Sequence, residues 1–130
     1  MRSLLLIAAL AAPLAAPLTP ATAETIYVSN ERANTISVID AATLTVIATW
    51  PVGRRPRGIV LSRDGKQLYV CASDENAVQV VDLASGKVVA KLPSGEDPET
   101  FALSPDGTLL FASNERDATV TAIDVPGRKV

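Results

Sequence analysis

Three features of the sequence predict an all-β fold made of repeated blades of four antiparallel strands. The first is a fixed period: Tyr27, Tyr69 and Phe111 stand 42 residues apart, and Asp40, Asp82 and Asp124 keep the same interval. The second is a register held without gaps through turn and apolar residues alike, in Pro51/Pro93, Gly53/Gly95, Pro56/Pro98, Leu61/Leu103, Ser62/Ser104, Asp64/Asp106 and Gly65/Gly107. The third is that the segments within a period are short, β-branched and bounded by turn chemistry, which suits strands and not helices. Four such strands in 42 residues are the size of one propeller blade.

Taken in chain order, residues 1–23 read as a secretory signal. Arg2 gives a positive start, Leu4 to Leu10 an apolar run, and Ala21-Thr22-Ala23 a small-x-small cleavage pattern. Pro13, Pro17 and Pro20 interrupt the stretch before it reaches the roughly 20 apolar residues of a spanning helix. The expected mature chain, 24–130, is a partial propeller with repeat units of about 26–67, 68–109 and 110–130. It has no membrane association of its own once the signal is removed.

Residues Ile26 to Trp50 supply only the outer three strands of a first blade. The next unit is complete: Gly58 to Ser62, Gln67 to Ala72, Ala77 to Asp82 and Lys87 to Leu92 are strands, with Asp74-Glu75-Asn76 as a polar loop. Phe101 to Asp124 gives three strands of a third blade, so the prediction is one complete blade flanked by two incomplete ones. Near-continuous apolar runs such as Leu68 to Ala72 suit strands buried on both faces, as when a blade lies between two neighbours. A ring needs at least about four blades. The chain is therefore expected to be either a truncated piece of a longer protein, the favoured reading, or a unit that assembles from several copies. Alone it would expose sheet edges and two uncovered blade faces, with marginal stability or aggregation as the consequence.

The turn residues explain themselves physically. In Ser104-Pro105-Asp106-Gly107, proline presets φ, aspartate bonds the backbone and glycine accepts a positive φ; Asp64 and Gly65 play the same parts one repeat earlier. Asp40, Asp82 and Asp124 close the third strand of each blade, where a carboxylate accepts amide bonds from the following turn. Cys71 replaces Ser29 and Ser113 of the other units and reads as a small buried side chain; a free reactive thiol is the sharper alternative. One cysteine allows no internal disulfide.

Catalytic and metal-binding residues are not apparent. The sequence has no histidine, no cysteine pair, no phosphate loop and no nucleophile elbow. Removing Arg2 from the 12 basic residues leaves 11 against 14 acidic, and a net charge of −3 disfavours nucleic acid. The informative pattern is an inversion of charge across one repeat: Arg54, Arg55 and Arg57 become Glu96, Asp97 and Glu99. Both loops lead into inner strands at one end of the ring, together with Asn30, Glu31, Arg32, Asp74, Glu75, Asn114, Glu115, Arg116 and Asp117. The plain reading is that neighbouring loops form ion pairs. The functional reading is a binding face at the channel mouth, Arg57 and Glu99 nearest the axis, for a carboxylate-bearing ligand or a charged partner.

The segments Ile26 to Asn30, Asn34 to Asp40 and Ser104 to Gly107 resemble the YVTN-type β-propeller repeat over nearly the whole expected mature chain. Tyr27 to Glu31 followed by Gly53 to Ile59 and Pro93 to Glu99 is similar to the propeller proteins associated with pyrroloquinoline quinone-dependent catabolism. That resemblance implies about seven blades in a complete protein, a periplasmic location, and quinoprotein alcohol dehydrogenases and c-type cytochromes as neighbours. The expectation is a non-enzymatic periplasmic scaffold or binding protein, with no cofactor of its own and a quinoprotein dehydrogenase or cytochrome c as partner. Two alternatives stand beside it: part of a propeller enzyme, lactonase-like or haem-bearing reductase-like, with catalytic residues in blades beyond this chain, and a cell-surface repeat adhesin.

Overall fold

The computed structural model describes residues 24–130, so the signal predicted for 1–23 lies outside the described residues. Where the sequence alternates β-branched runs with Asp, Asn and Gly, the chain forms strands joined by tight turns. The first sheet holds β1 (Thr25–Asn30), β2 (Thr35–Asp40) and β3 (Thr45–Pro51). The second holds β4 (Pro56–Leu61), β5 (Gln67–Ala72), β6 (Ala77–Asp82) and β7 (Lys87–Pro93). The third holds β8 (Pro98–Leu103), β9 (Leu109–Asn114) and β10 (Thr119–Asp124). Each sheet is antiparallel and ordered as in sequence, giving a four-stranded blade between two three-stranded ones. Only the Asp74 loop departs from the expected plain loop: Ser73–Glu75 is a short 3-10 turn that Asn76 ends in the left-handed conformation.

The repeat extends to backbone irregularities. A bulge interrupts β2–β3 pairing between Val38 and Ile39 and β6–β7 pairing between Val80 and Val81, one period apart. A second bulge lies at Pro56/Ile59 on β4 and recurs at Pro98/Thr100 on β8. Glycine at Gly58 is a packing requirement, because a Cβ there would stand 2.6 Å from the Glu99 carbonyl and 2.7 Å from Thr100 Cα. The inner strands of neighbouring blades therefore meet backbone to backbone.

The core consists of two layers between sheets. Ile36, Tyr27 and Trp50 of the first blade pack on Leu68, Val70 and Val81 of the second. Tyr69, Val78 and Leu92 of the second pack on Leu110, Ala112 and Ile123 of the third. Each member of the second layer lies 42 residues beyond its counterpart in the first, so one interface has been copied once. Among the described residues only the central blade is covered on both sides: β5 is buried from Leu68 to Ala72, whereas β1 and β9 leave alternate side chains exposed. The continuous apolar runs thus report double burial only in the middle of the array.

Candidate functional site

The charged end of the array is built first from backbone. In the loop joining β3 to β4, three successive amides donate to side chains: Gly53 N to Gln79 Oε1 at 2.7 Å, Arg54 N to Glu75 Oε1 at 3.1 Å and Arg55 N to Asn34 Oδ1 at 2.9 Å. One repeat later Gly95 N donates to Thr121 Oγ1, Glu96 N to Asp117 Oδ2 and Asp97 N to Asn76 Oδ1, each at 3.0 Å. The same scaffold therefore presents Arg55 and Asp97 from equivalent places, both with left-handed backbone at φ 55° and 59°. The positioning residues Asn34, Asn76, Gln79 and Thr121 escaped the sequence reading. The spacing of Asn34 and Asn76 was the available signal.

Side chains then converge between the two loops. Arg55 reaches Glu31 at 3.2 Å, Asp74 at 3.4 Å, Asp97 at 3.2 Å and Glu99 at 3.4 Å. Arg57 bonds Glu99 and lies 3.8 Å from Glu31 and 3.6 Å from Glu115. Arg116 approaches Asp97 at 3.9 Å. The Glu99 bond holds the Arg57 guanidinium above its ordinary pKa. Asp97 is nearly buried; its Oδ2 accepts from Arg55 at 3.3 Å, while its Oδ1 lies near the same guanidinium but off the N–H direction.

Of the six residues singled out by the charge inversion, Arg55, Arg57, Asp97 and Glu99 meet in this network. Arg54 and Glu96 do not: the Arg54 side chain turns to the Asp74 carbonyl at 3.4 Å, and Glu96 is exposed. The inverted charges thus face each other across the blade boundary, and the arginines are already engaged by carboxylates. An arginine face open to a carboxylate ligand is not what the geometry offers. The network joins five carboxylates to three guanidinium groups, so its surplus is negative. Asp97, Glu99 and Glu115 bring oxygens within 4.8 Å of one another. Arg55 and Arg57 sit against those oxygens, where a cation would otherwise go.

The turn residues lie away from this mouth. Asp40 Oδ1 accepts from Thr43 N at 2.7 Å, Asp82 Oδ2 from Ser85 N at 2.9 Å and Asp124 Oδ1 from Gly127 N at 3.1 Å. Asp64 and Asp106 accept from Ser62 Oγ and Ser104 Oγ at 2.6 Å, with Gly65 and Gly107 at φ 65° and 76°. Cys71 is buried, and desolvation pushes its thiol up to about 12, which removes the thiolate a reactive cysteine needs.

A family model described as YNCE-like beta-propeller matches residues 12–127. Among solved structures, Kuenenia stuttgartiensis hydrazine synthase is similar with a TM-score of 0.75 and 25% identity, over 81% of this chain and 30% of that one. Dihydro-heme d1 dehydrogenase NirN in complex with DHE is similar with a TM-score of 0.65 and 26% identity, over 86% of this chain and 25% of that one. The present chain therefore spans less than a third of either neighbour. No curated protein matches it.

Proposed function

The chain belongs to the YNCE-like β-propeller family, and from that premise we propose that it is part of a periplasmic, non-enzymatic binding protein whose acidic channel mouth receives a cationic partner. One observation carries this reading. Arg55 and Arg57 are engaged by carboxylates across the blade boundary, and the exposed charge left at this end is five acids, Glu31, Asp74, Glu96, Glu115 and Asp117, against three arginines, Arg32, Arg54 and Arg116. An anion would have to compete with five carboxylates already bonded there, whereas a basic surface meets a complementary potential. The partner proposed is a protein of quinoprotein alcohol oxidation, a c-type cytochrome or the dehydrogenase itself, in keeping with the sequence resemblance.

The enzymatic alternative draws on the likeness to a dihydro-heme d1 dehydrogenase. With no histidine in the sequence, an imidazole ligand or base would have to come from outside this chain. Arg55 and Arg57 at the mouth are each bonded to carboxylates with acid in excess, an arrangement suited to holding two blades together and displaying a fixed charge pattern.

The test is binding of a basic c-type cytochrome to the full-length protein across a salt series, with wild type compared with Glu31→Gln and Glu115→Gln. Each substitution is expected to weaken binding by roughly two- to fivefold at low salt, the scale of one exposed pair. The difference should fade as salt screens the rim. Binding that ignores both salt and the two glutamates removes the reading.

A further inference from the structure

The sequence holds two Asp-Gly pairs, Asp64-Gly65 and Asp106-Gly107, and they stand in equivalent turns, between β4 and β5 and between β8 and β9. Such a pair is chemically vulnerable, because glycine has no side chain to keep its amide away from the preceding carboxyl group. The glycine nitrogen attacks the aspartate Cγ, the amide proton and the carboxyl OH leave as water, and a five-membered succinimide forms. Water then reopens the ring. Opening at the main-chain carbonyl leaves the peptide link running through Cβ and Cγ, which is isoaspartate. The water lost in the first step is regained in the second, and no oxidant or reductant takes part.

The structure restrains the reacting groups in both turns, and more so in the later one. Each glycine amide is already donated to the serine that opens its turn, Gly65 N to Ser62 O at 3.0 Å and Gly107 N to Ser104 O at 2.9 Å. Asp64 Oδ1 accepts from Ser62 Oγ at 2.6 Å and from Lys66 N at 3.1 Å. Asp106 Oδ1 has the same two bonds, from Ser104 Oγ and Thr108 N, and a third from Thr108 Oγ1 at 2.9 Å. Lys66 stands at the place of Thr108 and has no hydroxyl to give. The neutral carboxyl is the form that sheds its OH readily, and each donor to the carboxylate favours the charged form instead. Arg63 restrains the later turn further: its guanidinium donates to Ser104 O at 3.1 Å and Leu103 O at 3.2 Å, and its Cγ stands 2.8 Å from where a Gly107 Cβ would lie.

We propose that Asp64 is a site of spontaneous isoaspartate formation in this protein, and that the Thr108 hydroxyl guards its counterpart Asp106 against the same change. The difference between the two turns is a side chain within each turn, so the inference rests neither on what lies beyond these blades nor on the charged mouth. Isoaspartate at Asp64 lengthens the backbone by a methylene beside Arg63, the residue that ties this turn to the third blade. The modification is therefore felt at a blade boundary.

Ageing of the full-length protein at neutral pH, followed by peptide mapping with electron-transfer fragmentation to locate isoaspartate, tests this. In wild type Asp64 should isomerise about tenfold faster than Asp106, the scale of one hydrogen bond to a charged group. Exchanging the residues separates the hydroxyl from everything else in the turns. Lys66→Thr should slow the change at Asp64 and Thr108→Lys should speed it at Asp106, each leaving the other turn at its wild-type rate. The untouched turn in each variant thereby reports that the fold is intact. Equal rates in wild type, no isoaspartate at either turn, or rates that ignore the exchange overturn the proposal. A variant in which both turns change together overturns it as well, since general opening of the array would then set the rate.

Discussion

Arg55 and Asp97 occupy the same place in successive repeats, on the same left-handed backbone and under the same asparagine bond, yet carry opposite charge. Their pairing across the blade boundary explains the inversion. Had both been arginine, two guanidinium groups would face each other; as arginine and aspartate, the second loop neutralises the first. The energy lies between two regimes, since Asp97 has a side chain 9% accessible and Arg55 one 27% accessible. Exposed pairs contribute roughly 0.2–1 kcal/mol, while breaking a fully buried pair costs about 3–5. A double-mutant cycle on Arg55→Ala and Asp97→Ala, read by urea denaturation, is therefore expected to give a coupling energy of about 1–2 kcal/mol. A value indistinguishable from zero would mean that Glu99 and Asp74 fully substitute for the lost partner.

At the scale of the element, the turns after β2, β4, β6, β8 and β10 are each closed by an aspartate that collects donors. Asp106 Oδ1 accepts from Ser104 Oγ at 2.6 Å, from Thr108 N at 3.1 Å and from Thr108 Oγ1 at 2.9 Å. The Ser104 bond contributes most, and together these hold the carboxyl from its ordinary 3.8 down to about 2. Asp64, Asp82 and Asp40 are lowered for the same reason, by bonds from Ser62, Ser85 and Thr43. A folded pKa below the unfolded one makes stability complete above the unfolded value and lost as pH falls through the folded one. The Asp106 turn is thus expected to weaken between pH 3.8 and about 2, and the turns at Asp40, Asp64 and Asp82 to weaken likewise as the pH falls below the ordinary carboxylate range. Thermal denaturation of Asp106→Asn against wild type should show the variant less stable at neutral pH, with the gap closing across that window. A gap that stays constant as the pH falls would show that the carboxylate charge contributes nothing there. The aspartates were legible in the sequence because Ser-x-Asp-Gly is itself turn chemistry. The left-handed positions at Leu44, Arg55 and Ala118 were not, because no glycine marks them and only superposition on the repeat reveals what the backbone requires.

At the scale of the molecule, the period carried nearly everything about the fold: strand number, blade boundaries and the incomplete flanking blades all follow from 42-residue spacing. The site was legible only in outline. Spacing placed the charged residues at one end, but side-chain direction decides whether inverted charges face a ligand or each other, and direction depends on how far one blade turns against the next. The same geometry sets where the array is strong. In stacked repeats each sheet gains stability from its neighbours, so a sheet covered twice outlasts one covered once. Native-state hydrogen exchange of residues 24–130 should find its slowest amides in β5 and β6. Val70, Cys71, Val78 and Val81 there are all 0% exposed. Amides of β1, which among the described strands has a partner on one side only, should open first. Uniform exchange across all three sheets would mean that the array unfolds as one block and that coverage by neighbours does not set local stability.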